Sequence, residues 1–150
     1  LGPALSLPLI LLVTASLSLG DALTVTGAID YIAKLFVAGF GGMPVPVILS
    51  GLMLLLILAT NVVTNNTVAV IGVPIAISMA GQLGAPAEPF VVAAIFAANM
   101  SYATPIGYQG NLLIMSAGGY KFADFVRVGV PLTILMWLTF SFFLPVWYGL

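Results

Sequence analysis

Two apolar runs, Val45 to Ala59 and Val68 to Ala80, flank an uncharged polar patch, Thr60-Asn61-Val62-Val63-Thr64-Asn65-Asn66-Thr67, in a chain that is otherwise almost all hydrocarbon. As helices rising about 1.5 Å per residue, each run extends roughly 20 Å. That is short of a hydrocarbon core about 30 Å thick, and one straight helix made of both would overshoot it. The pattern predicts a re-entrant helical hairpin over residues 43–82, with the Thr/Asn tip near mid-membrane. Non-helical backbone is tolerated at that depth only where protein or a water-filled cavity surrounds it, so the tip is expected to line a cavity. In the competing reading the two runs borrow residues from the patch, become ordinary spans and leave a solvent-facing turn. Exterior turns usually carry Gly, Pro or charge, and none occurs between Leu54 and Ile71. The re-entrant hairpin is therefore the expectation.

The rest of the chain reads outward from this hairpin. Residues 1–20 hold an apolar run, Ala4 to Leu19, expected to be a span. Residues 21–42 place Asp30 and Lys34 at i, i+4 opposite an apolar side of Ile29, Ile32, Ala33, Leu35, Phe36 and Val37, which suits a helix lying along the membrane surface. Gly39 to Pro46 and Gly81 to Pro89 punctuate the hairpin on either side. Phe90 to Tyr102 is the next apolar helix, and it runs into a second polar break, Ala103-Thr104-Pro105-Ile106-Gly107-Tyr108-Gln109-Gly110-Asn111. Pro105 removes a backbone donor and disfavours helix at Thr104. With Leu112 to Ala117 completing the crossing, residues 89–118 form a discontinuous transmembrane helix; the alternative ends the helix at Thr104. Gly118 to Arg127, with Tyr120, Phe122, Phe125, Lys121 and Arg127, reads as an interfacial connector. Residues 128–148 are the clearest complete span, closed by Trp147 and Tyr148.

Composition fixes the class. The chain is 62% hydrophobic and 5% charged, with a mean hydropathy of +1.26, and its continuous Leu/Ile/Val/Ala runs lack the alternation of a membrane β-barrel. An all-α, multi-pass integral membrane protein follows, seated in a lipid bilayer such as a plasma or inner membrane. There is no Cys and no His, which excludes disulfides and the usual soft metal ligands from this segment. Three basic residues and a net charge of -1 leave no footprint for nucleic acid. Leu1 stands where an initiator Met would, and no basic n-region precedes the first run. The segment is expected to be an internal or C-terminal piece, about half a transporter. Lys121 and Arg127 would lie on the cytoplasmic side, with the hairpin opening outward.

Broken helices carry chemistry. One exposes N-H groups and the other C=O groups, with opposite partial charges, and paired broken elements are a recurring binding-site design of secondary transporters. Asn and Thr add neutral oxygens for a hard cation and amide donors for an anion. All seven charged residues, Asp21, Asp30, Lys34, Glu88, Lys121, Asp124 and Arg127, fall in segments assigned to interfaces or loops. A proton relay normally needs an intramembrane Asp, Glu or His, so Na⁺ is expected as the coupling ion, with no other cofactor.

The stretch Ala59-Thr60-Asn61-Val62-Val63-Thr64-Asn65-Asn66-Thr67-Val68-Ala69 resembles the second Ser-Asn-Thr signature of the divalent-anion/sodium symporters. Ala103-Thr104-Pro105-Ile106-Gly107-Tyr108-Gln109 with Asn111, followed by Gly118-Gly119-Tyr120, is similar to their unwound helix. The element order agrees from Leu1 to Leu150. The resemblance implies half of an inverted-repeat, elevator-type homodimer that carries sulfate or di- and tricarboxylates with Na⁺. It implies Asn65, Asn66 and Thr67 on the anion, bordered by Thr104 and Pro105. Asn61, Thr64, Asn66 and Ala103 would surround one Na⁺, partly through backbone carbonyls. One departure is that the family's Ser is Asn65 here, a longer amide that re-tunes the anion pocket. The Gly-Tyr-Gln variant inclines toward the sulfate-like branch.

Other classes fit less well. An intramembrane enzyme needs a nucleophile and base or a carboxylate pair, and no such set stands in the apolar segments. A channel is a closer rival, because re-entrant segments also build selectivity filters. A proton-coupled permease or an exchanger is the other alternative.

Overall fold

Helix α4, Ala87–Asn99, buries Ala93, Ala94, Ala97 and Ala98 completely and turns Ile95 and Phe96 outward. The sequence pairs alanines at i, i+1, i+4 and i+5, which on a helix is one narrow face of small residues. Where surrounding hydrocarbon gives no hydrophobic drive for helix association, such faces let backbones approach and pack. On this seam the bundle is built.

A computed structural model describes residues 14–15, 18, 21–23, 25–40 and 42–150, so most of the span expected over 1–20 lies outside the described residues. Before α4 come α1, Ala28–Phe40, α2, Val45–Thr60, and α3, Asn65–Leu83; after it come α5, Gln109–Gly118, and α6, Phe122–Tyr148. No strand occurs among the described residues. Helices α3 and α2 pack on α4, α1 lies on α3, and α6 closes over α2 and α4.

The core is a set of helix faces. Helix α2 buries Ile48, Leu49, Leu52, Met53, Leu56, Ile57 and Thr60, a regular stripe, while Leu54, Leu55 and Leu58 face outward. A helix apolar all round belongs to a membrane or the centre of a large protein. Helices α2 and α3 fold back on each other: a Cβ on Gly72 would stand 3.0 Å from Cδ2 of Leu56. Helix α3 ends at Gly84 in the left-handed conformation (φ 62°), with the Ala85 N-H donating to the Ala80 carbonyl at 3.0 Å. This glycine cap reverses the chain into α4. Helix α6 is tied to α2 by Ser141 and Ser50, whose hydroxyls lie 2.8 Å apart, and by Trp137 Nε1 donating to the Ser50 carbonyl at 3.1 Å.

The structure differs from the sequence reading in three places. Asn65-Asn66-Thr67 is not the non-helical tip but the first turn of α3; only residues 61–64 connect α2 to α3. The reason is Thr64, extended at φ -85° and ψ 149°, whose hydroxyl accepts from the Thr67 N-H and caps the helix. Consequently α3 has 19 residues, about 28 Å. That nearly matches a crossing, and among the described residues α3 and α6 are the two helices with the length and composition of a span. The second break comes earlier than expected, over residues 100–108. Finally, Phe122 to Arg127 are helical rather than a connector, because the Asp124 carboxylate accepts from the Lys121 N-H at 2.8 Å and starts α6 early. On α1, Ile29 and Ala33 are buried, whereas Leu35 is exposed and Asp30 accepts from the Ser78 hydroxyl of α3 at 2.7 Å.

Thr60 joins α2 to α4. It is fully buried, and its hydroxyl donates to the Ala98 carbonyl at 2.7 Å, one of the four C-terminal carbonyls of α4 that lack a helical partner. Thr60→Val keeps the shape but orphans that carbonyl. It should cost about 1–3 kcal/mol, read as a lower unfolding temperature of the detergent-solubilised protein.

Candidate functional site

Four helix ends meet around the two breaks. Helices α2 and α4 arrive with their C-termini, at Thr60 and Asn99; α3 and α5 leave with their N-termini, at Asn65 and Gln109. The arriving ends present carbonyl oxygens and partial negative charge, the leaving ends N-H groups and partial positive charge. A site able to favour a cation and an anion side by side is the electrostatic consequence.

The breaks are interlocked by hydrogen bonds. Asn61 Nδ2 donates to the carbonyls of Ile57 (2.8 Å) and Met100 (3.1 Å), and its Oδ1 accepts from the Ala103 N-H at 2.9 Å. The Asn61 carbonyl accepts from the Thr104 hydroxyl at 2.6 Å. That hydroxyl in turn accepts from the Gly107 N-H at 3.3 Å. The Asn65 N-H donates to the Gly107 carbonyl at 2.9 Å. Among the described residues no buried side-chain polar atom is left without a partner.

The residues singled out in the sequence are thus distributed as follows. Asn61, Ala103 and Thr104 are brought into direct contact. The hydroxyls of Thr64 and Thr67 are 2.8 Å apart at the start of α3. Pro105 is buried within the break, and Asn65 is half-buried at the start of α3. Asn66 is exposed, with its N-H accepted by Asn65 Oδ1 at 2.9 Å. The first-turn N-H groups of α3 are all paired: Asn65 with Gly107, Asn66 with Asn65, Thr67 with Thr64, and Val68 with the Thr64 carbonyl at 3.1 Å. Donors to an anion at this end are therefore the side-chain amides and hydroxyls.

Two residues carry more of the site than sequence reasoning assigned them. Asn111 Nδ2 donates to the carbonyls of Ser101 (2.8 Å) and Thr104 (3.2 Å), bracing the break from the first turn of α5. Its signal was an amide directly preceding an apolar Leu-Leu-Ile-Met run. Gly129 lets α6 lie directly on the break: a Cβ there would overlap the Tyr102 carbonyl and stand 2.7 Å from Cα of Ala103. Counting along α6, that contact is about 10 Å from the helix start and about 28 Å from its end. The break lies within the length of α6, not beyond its end.

The charged side chains stand apart from this region. All seven are exposed, and none belongs to residues 60–67 or 100–111. Oxygens near the breaks are neutral carbonyls, amides and hydroxyls, the ligand chemistry of a hard monovalent cation rather than a transition metal.

Comparison with known proteins gives a consistent answer. The family model described as citrate transporter (CitMHS) matches residues 3–149. The uncharacterized transporter sll0640 of Synechocystis sp. is 36% identical over 146 residues, covering 93% of this chain and 23% of that protein. The uncharacterized transporter YfbS of Escherichia coli is 31% identical over 129 residues, 86% of this chain and 21% of that protein. A Chlamydomonas reinhardtii protein named Probable sodium/sulfate cotransporter 3 is 34% identical over 85 residues, 57% of this chain and 10% of that one. The chain spans less than a quarter of the length of these relatives.

Proposed function

The chain belongs to the citrate transporter (CitMHS) family, and we propose that it forms part of the binding site of a Na⁺-coupled carrier for a divalent anion, sulfate or a di- or tricarboxylate. The family and its relatives are transporters, not enzymes, in line with the resemblance to the divalent-anion/sodium symporters. The observation that carries the finer reading is the meeting of two helix C-termini and two helix N-termini around Asn/Thr-rich breaks. Sodium would sit among Asn61, Thr64, Asn66 and Ala103 on the carbonyl side. The anion would sit on Asn65, Asn66 and Thr67, bordered by Thr104 and Pro105. Coupling by Na⁺ rather than H⁺ is supported by the lack of any carboxylate in residues 60–67 and 100–111, since a proton carrier inside the membrane normally needs one. A sulfate substrate is supported by the name of the Chlamydomonas relative, a carboxylate by the name of the family.

In this reading α2 and α3 form the re-entrant hairpin although α3 is nearly as long as a span, because their connection meets a break that lies against Gly129 within the length of α6; α4 and α5 form the two halves of a discontinuous helix, and α6 a full span of a multi-pass protein in a plasma or inner membrane. Asn61 in the connection 61–64 is held by the Met100 carbonyl, the Ala103 N-H and the Thr104 hydroxyl, and Asn65 just after it by the Gly107 carbonyl, the kind of protein partners that membrane-depth backbone requires. The working unit would be an elevator-type homodimer.

Asn66→Ala tests the shared site, because one exposed amide serves both ligands in this reading. Uptake by the full-length protein in proteoliposomes should fall at least about tenfold, with the half-saturating concentrations of both Na⁺ and anion raised. Full uptake with an unchanged Na⁺ dependence contradicts the assignment.

A further inference from the structure

The side chain of Asn61 is already engaged on three sides, which a simple ion ligand would not be. Its two N-H bonds hold the carbonyls of Ile57 and Met100, at 2.8 and 3.1 Å, and its oxygen holds the Ala103 N-H at 2.9 Å. An amide offers two donors and two acceptor positions; three of the four are used on backbone. Those backbone groups belong to the last turn of α2, the residue that ends α4, and the middle of the second break. Met100 is 1% exposed, so its carbonyl would otherwise be an unpaired acceptor in an apolar interior.

We infer that Asn61 is a positioning residue: its side-chain amide clamps the end of α4 and the 100–104 break onto the end of α2, fixing the carbonyl side of the site. Residue 61 can still offer a cation the free lone pair of its main-chain carbonyl, beyond the Thr104 hydroxyl, and the one remaining lone pair of Oδ1. The clamp also explains how the two breaks stay in register although 39 residues separate Asn61 from Met100. Its link to Na⁺ dependence rests on the carrier reading above; the clamp itself does not.

Asn61→Asp separates the two roles. The carboxylate is a stronger cation ligand than an amide and still accepts from the Ala103 N-H, but it cannot donate to Ile57 or Met100. A direct ligand should tolerate Asp, with half-saturation shifted to lower Na⁺. A clamp should not: maximal uptake should fall at least about tenfold with no shift to lower Na⁺. A second measurement is independent of transport. This segment contains no cysteine, so Met100→Cys, in a full-length protein whose other cysteines are replaced by Ser, reports on the clamp through thiol labelling. Labelling should be slow with Asn61 present and at least about tenfold faster in the Asn61→Asp and Asn61→Ala backgrounds. Unchanged labelling in both overturns the proposal, as does wild-type maximal uptake by Asn61→Asp. If the parent protein transports without Na⁺, the coupling claim fails while the labelling result still decides the clamp.

Discussion

Gly107→Val should reduce anion uptake by at least about a hundredfold, the cost of a misplacement of about 1 Å among groups that must be aligned. A Cβ at position 107 would overlap the Thr60 carbonyl and stand 2.7 Å from Cβ of Ser101. Neither neighbour can move cheaply: the carbonyl is main chain at the end of α2, and Ser101 is 4% exposed with its own carbonyl held by Asn111. The backbone of Gly107 is not in the left-handed region, so the requirement is space and not φ. Pushing residue 107 outward also pulls its carbonyl from the Asn65 N-H at the start of α3. Amount of protein in the membrane should change little, because the apolar helices that direct insertion are untouched. Gly81→Ala is the control. A Cβ at Gly81, within α3, meets nothing within 4 Å, so uptake should match wild type and stability should rise by about 0.5–1 kcal/mol. Wild-type uptake by Gly107→Val would make residues 100–108 an ordinary loop.

Gly129→Ala should be almost as damaging, from the other side of the break. One methyl there overlaps the Tyr102 carbonyl and crowds Cα of Ala103, both main chain, so α6 or the break has to shift. Overpacking of this kind costs about 1–3 kcal/mol. The shift acts on the residue whose N-H is clamped by Asn61. Thr133 is bonded back to the Gly129 carbonyl at 2.7 Å and Pro131 follows within the same turn, so α6 has a locally defined shape to lose. Uptake should drop at least about tenfold and the unfolding temperature should fall. A protein with normal uptake and normal stability would show that α6 does not lie on the break when the carrier works.

The sequence made the class and the two polar interruptions legible, since both follow from composition and from where polar residues stop an apolar run. It could not say where α3 begins. Thr60, Asn61, Thr64, Asn65, Asn66 and Thr67 are all competent N-caps, and only the backbone angles of Thr64 and its bond to the Thr67 N-H choose among them. The estimate of arm length inherited that ambiguity, which is why α3 is longer than expected. Contact between the breaks was legible only through the family resemblance, which put Asn61 and Ala103 around one ion. The hydrogen bond between them is between residues 42 positions apart, and no local pattern encodes it. Gly129 was hidden for a related reason: within an apolar span a glycine reads as tolerated flexibility, and its purpose appears only when the Tyr102 backbone lies against it.

The central claim, that these paired breaks serve a Na⁺-driven anion carrier, is most directly tested by uptake of radiolabelled sulfate, succinate and citrate into proteoliposomes holding the full-length protein, with and without an inward Na⁺ gradient. The account predicts that at least one of the three accumulates only with the gradient. Uptake that is indifferent to Na⁺ would contradict it and assign the protein to the exchangers or proton-coupled permeases.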